Sequence, residues 1–185
     1  MTNKKIALFA IPVLAAILIG GTIAPTYAFT EIDCDNDKNT PLTGDQGGYD
    51  IVSVAGKDCY IENATNINSI RLVGAGQVNI EFATVSGQII VADATDKVKV
   101  KDSTADFLIV SSNTGSHVEV MDNTIAGVIF VDNNSVEVFK VKGNTAVVVD
   151  MIGNVVSKTA FCKNNSPDAT TASSNTYNGK NNGCP

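Results

Sequence analysis

A short threonine-bearing signature recurs along this chain at Thr65, Thr84, Thr104, Thr124 and Thr145, and once more, degenerate, as Asn165. The steps are 19, 20, 20, 21 and 20 residues. An apolar residue opens each copy a few positions earlier: Ile61, Ile80, Val100, Val120, Val141 and Phe161. A unit of about 20 residues rich in β-branched side chains cannot bury its apolar face alone, so its copies must stack. The period therefore predicts an all-β, single-domain parallel β-solenoid of about five rungs: 61–79, 80–99, 100–119, 120–140 and 141–160.

Local pattern agrees. Val98-Lys99-Val100-Lys101, Val118-Glu119-Val120-Met121 and Val136 to Lys142 alternate apolar and polar residues, as half-buried strands do. Between them lie apolar bursts at Phe107–Val110, Val128–Val131 and Val147–Val149, which can be covered on both sides or partly exposed on one face. No capped helical stripe appears. In a parallel coil, residues one period apart lie about 4.8 Å apart, so Ile61, Ile80, Val100, Val120 and Val141 form an internal ladder. The column before each threonine reads Ala64, Ala83, Ser103, Asn123, Asn144 and Asn164. Stacked Asn and Thr at a bend satisfy turn amides that would otherwise lack partners.

The ends differ in character. Lys4 and Lys5, then the apolar run from Ile6 to Ile19, then Ala28, give 1–28 the form of a secretory signal, cleaved or retained as an anchor. Residues 29–48 are polar and turn-rich and predict an irregular acidic lead-in. Residues 49–161 hold the rungs, and 162–185 form a C-terminal cap. Four cysteines in the exported part predict two disulfides in an oxidising compartment, hence a secreted or extracellular-surface protein. Three connectivities are open. The repeats separate the pairs Cys34/Cys59 and Cys162/Cys184, which favours local bridges, each worth roughly 3 kcal/mol by loop closure. No close Cys-x-x-Cys pair suggests zinc. Beyond residue 28 the chain holds 11 basic and 19 acidic residues with no Lys/Arg run, which argues against nucleic acid and against insertion into or adhesion to anionic membrane.

Lys142-Gly143-Asn144-Thr145, Phe161-Cys162-Lys163-Asn164-Asn165-Ser166-Pro167, Ser174-Asn175-Thr176 and Gly179-Lys180 before Cys184 resemble a group of small secreted right-handed parallel β-helix proteins with Gly-Asn-Thr rungs and a cysteine-bounded tail. Lys57-Asp58-Cys59-Tyr60 also resembles their entry into the first rung. The resemblance spans roughly 49–185. It departs where Ala146-Val147-Val148 replaces the Gly-Gly-Asn that usually follows the rung threonine. It implies fold and export but no activity.

Candidate chemistry is sparse. A β-helix lyase needs an acidic calcium cluster and a base, and a glycosidase needs two facing carboxylates; the nearest set is Asp102, Asp122 and Arg71, with His117 the only histidine. Asp33, Asp35 and Asp37 share the opening spacing of a calcium loop, but Lys38 and Gly44 stand where Gly and Glu are needed. Asn63, Asn133 and Asn164 begin Asn-x-Ser/Thr glycosylation patterns. One threonine per rung does not make the paired ranks of an ice-binding face, and without tryptophan there is no aromatic platform for sugar. The reading is a non-catalytic structural or adhesive protein without cofactor, presenting repeated polar faces to cell-surface or matrix polysaccharide or protein. The alternative is a polysaccharide-binding or polysaccharide-degrading β-helix protein.

Overall fold

A computed structural model describes residues 30–167 and 171–185; the expected signal segment, 1–28, lies outside the described residues. The described chain is all-β, without helix, and coils into a parallel β-solenoid of about seven turns rather than five. Two sheets enclose the core. In the front sheet Leu42, Ile61, Ile80, Val100, Val120, Val141 and Cys162 stand in one register. In the back sheet the column runs Ile32, Ile51, Ile70, Ile89, Leu108, Ile129 and Val149. Both columns point inward, and from Ile51 to Val149 and from Ile61 to Val141 every member is completely buried. The strand Cys59–Val73 runs from front to back without interruption.

The chain turns between sheets at two corners per coil, and both use the same device. A residue in the left-handed region reverses the strand: Asn63, Phe82, Asp102, Asp122, Gly143 and Asn164 at the first corner, Gly74, Asp93, Ser112, Asn133, Gly153 and Ser174 at the second. Asn, Asp and Gly tolerate that conformation best, which is why short polar residues dominate both columns. Gly143 has a further reason, because a Cβ there would collide with the Asp122 carboxylate one coil below. The next residue then points inward. Those columns read Ala64, Ala83, Ser103, Asn123, Asn144, Asn165 and Ala75, Ala94, Asn113, Asn134, Asn154, Asn175.

The buried asparagines form two hydrogen-bonded ladders. The Asn144 Oδ1 accepts from the Asn123 backbone N–H (3.1 Å) and from Asn123 Nδ2 (3.0 Å). Its Nδ2 donates to the Val120 carbonyl (2.9 Å) and to Asn165 Oδ1 (3.0 Å). Every donor and acceptor of a side-chain amide is then used, although Asn144 has no solvent exposure at all. The second ladder repeats this through Asn113, Asn134, Asn154 and Asn175. Each coil thus contains two half-repeats of about ten residues: Val100-Lys-Asp-Ser-Thr104, Val110-Ser-Ser-Asn-Thr114, Val120-Met-Asp-Asn-Thr124 and Val131-Asp-Asn-Asn-Ser135.

Three expectations are corrected. The last copy is displaced by one residue: Cys162, not Phe161, continues the apolar ladder, Asn165 rather than Asn164 joins the asparagine column, and Ser166 rather than Asn165 pairs with Thr145. The cause is a bulge between Val136 and Val138, where the strand Val155–Lys163 carries one extra residue. The lead-in is not irregular, since Glu31–Cys34 and Leu42–Ser53 are strands of the stack. The C-terminal segment is largely a further coil, with Thr171–Ser173, Thr176–Tyr177 and Lys180–Asn182 paired onto the one before. Alternation is faint in these parts, so ladder pairing rather than apolar content carries the strands.

Asn165→Ala is expected to lower stability by about 3 kcal/mol, because it orphans the Asn144 amide donors and the Val141 carbonyl. Asn164→Ala, at an exposed corner, is expected to cost about 1 kcal/mol or less. Equal costs in denaturant melts would place the ladder one residue away. Val120→Asp buries an unpaired charge and is expected to abolish cooperative melting.

Candidate functional site

The fold sorts outward side chains into two unlike faces. In the front sheet one outward column reads Tyr60, Asn79, Lys99, Glu119, Lys140, Phe161, Asn182. Its neighbour reads Glu62, Glu81, Lys101, Met121, Lys142, Lys163, and a third begins at Lys97 and ends at Lys180. With Lys158 beside Glu137, eight of the eleven basic residues beyond residue 28 gather here against four glutamates. The sequence shows no basic run because these lysines alternate with buried valines and recur a coil apart. Strand alternation and stacking assemble what linear inspection misses.

Ion pairs organise the middle of this face. Glu119, its side chain only 8% exposed, lies 2.7 Å from Lys140 and 3.8 Å from Lys97. Burial by itself would raise its carboxyl. The Lys140 hydrogen bond and the two ammonium charges more than offset that, and hold it below the ordinary carboxylate value. Glu81, 2.7 Å from Lys99, is lowered in the same way against its burial. Toward the C-terminal end the balance changes: Lys142 and Lys163 are register neighbours, and neither they nor Lys180 enter an ion pair among the described residues. Lys163 instead stands 5.3 Å from the Phe161 ring centre.

The back sheet presents apolar side chains. Its central outward column runs Val52, Arg71, Ile90, Ile109, Phe130, Asp150, Thr171, and the flanking one runs Gln88, Phe107, Val128, Val148. Phe107 is 48% exposed, Phe130 38% and Val73 41%. The apolar bursts of the sequence thus bury alternate residues and expose the others.

Asp102 and Asp122 do stack, at the first corner, where Asp102 pairs with Lys101 at 2.9 Å. Arg71 points outward from the back sheet and His117 belongs to the front sheet, so the core lies between them and Arg71 is remote from both aspartates. No catalytic constellation forms from this set. Asp37 caps its own turn by accepting from Asn39 and Thr40, and Asp35 faces Lys57 at 3.8 Å. Among the described residues no group of three or more His, Cys, Asp or Glu side chains is placed to hold a metal ion. Asn63, Asn133 and Asn164 all occupy exposed left-handed corners. Thr65, Thr84, Thr104, Thr124 and Thr145 line one exposed narrow side, with Thr84 to Ser166 in parallel register. Cys34 is bonded to Cys59, and Cys162 to Cys184.

Glu119 contributes stability that is complete above the ordinary glutamate pKa of about 4.3 and is lost as pH falls through its lowered folded value. The melting temperature is therefore expected to fall on acidification from about pH 5 to about pH 3. Glu119→Gln is expected to cost about 1–2 kcal/mol at neutral pH and to flatten that acid limb. A thermal melt series with an unchanged limb would assign the acid sensitivity to other carboxylates.

No protein-family model, curated protein or solved structure matches this chain.

Proposed function

We propose that this chain is a non-catalytic, exported structural or adhesive protein whose front sheet takes up an acidic cell-surface or matrix polysaccharide. The observation that carries the reading is the collection of eight lysines on one rigid face of a chain that is otherwise acidic. Ammonium groups held on neighbouring coils meet an extended polyanion with little loss of side-chain freedom, and steer it by long-range attraction. Lys142, Lys163 and Lys180, which have no internal counter-ion among the described residues, are the residues that would bind it.

Two buried disulfides accord with an oxidising compartment, where polysaccharide is the polyanion at hand rather than nucleic acid. The resemblance to small secreted β-helix proteins and the signal-like segment 1–28 support export. The separation of Arg71 and His117 from the stacked aspartates favours binding over cleavage. Asp102 and Asp122 remain the carboxylates to which a polysaccharide-degrading reading would turn.

The test is size-exclusion chromatography of the purified protein with polygalacturonate or with neutral dextran. Co-elution with polygalacturonate at low salt, its loss as salt rises, and its loss in Lys142→Glu/Lys163→Glu are expected. Shortened polysaccharide would overturn the non-catalytic reading. Equal binding to dextran, or none to either polymer, would remove the lysine face as the binding surface.

A further inference from the structure

The back sheet carries a pattern that the front-sheet reading does not use. Along its central outward column three apolar side chains, Ile90, Ile109 and Phe130, occupy consecutive coils. Arg71 stands one coil before them and Asp150 one coil after. Arg71 is exposed and enters no ion pair among the described residues. The Asp150 Oδ1 is buried and accepts no hydrogen bond. A buried carboxylate oxygen without a donor is costly and calls for one. Within one chain Arg71 cannot supply it, since four coils separate the two residues, about 19 Å at ~4.8 Å per coil.

We propose that the back sheet is a self-association surface, and that two copies of this chain pack there face to face with their solenoid axes antiparallel. The charges select that arrangement. A two-fold axis along the strand direction, passing at Ile109, sets Arg71 of each copy against Asp150 of the other. The same operation sets Ile90 against Phe130, and Ile109 and Phe107 each against its own counterpart. In the flanking columns Val73 meets Ile152, and Ser69 meets Val148. Asp132, which donates nothing to this match, falls opposite Ala92 at the rim, where water reaches it.

The other face-to-face two-fold, along the solenoid axis, would put Arg71 on Arg71 and Asp150 on Asp150. That superposes like charges at both ends of the strip and is rejected. An isologous pairing of this kind closes on itself, so association stops at the dimer. It removes a contiguous apolar strip from water and gives each half-buried carboxylate a guanidinium. Both front sheets then face outward on opposite sides.

The test is sedimentation equilibrium of the purified protein over a concentration series, with a thermal melt of every variant. A reversible dimer is expected. Ile109→Lys, which sets two ammonium groups against each other at the axis, is expected to give monomer with a cooperative melt. Arg71→Asp alone is expected to weaken the dimer at least about tenfold, as loss of a close interfacial charge pair does. The double exchange Arg71→Asp/Asp150→Arg is expected to restore it. A protein that stays monomeric throughout, or a dimer indifferent to Ile109→Lys, overturns the surface. A double exchange no better than Arg71→Asp alone overturns the antiparallel register. These outcomes are independent of polygalacturonate binding, which Lys142 and Lys163 govern.

Discussion

Everything in this molecule depends on how its corners satisfy their backbone. A solenoid of roughly 20-residue coils reverses at two corners in every coil, and each corner drives polar groups toward the core. The inward asparagine after each left-handed residue resolves this. Its carbonyl accepts the amide of the coil below, while its amino group reaches back to a valine carbonyl and forward to the next asparagine. Buried polar networks stabilise only when every member is paired, and here the stack itself does the pairing. The earliest coils carry buried alanines, Ala64, Ala75, Ala83 and Ala94, at these positions instead.

The architecture was legible because apolar periodicity survives in sequence. Ile61, Ile80, Val100, Val120 and Val141 are spaced by the coil and nothing else in the chain competes with that reading. The second corner was less visible. The motif Val110-Ser-Ser-Asn-Thr114 repeats Val120-Met-Asp-Asn-Thr124 at half the coil length, and comparing the chain with itself at ten residues would have revealed both ladders. The displaced last copy was hidden for a physical reason. Consecutive Asn164 and Asn165 are chemically alike, and only the bulge at Val136 decides which of them turns inward.

Function was less legible than fold, because surface chemistry on a solenoid is written across coils. Lys142 and Lys163 are 21 residues apart in sequence yet adjacent in space. Arg71 and Asp150 belong to one column though 79 residues separate them. A net acidic composition conceals a basic face, and an apolar run such as Phe107–Val110 conceals that every second residue looks outward. Composition averages over faces that the fold keeps apart.

The ladders also fix the unit in which such a chain can change length. Because each coil offers the next the same partners that it receives, removing residues 100–119 whole would join Lys99 to Val120 and leave every column continuous. Removing a single residue from a strand would shift one set of side chains from core to water. Recombination between similar coils thus keeps the interior pairing intact, while it resets the spacing of everything displayed outside. A lineage built this way explores rod length and charge spacing together, in whole steps, without having to reinvent its interior.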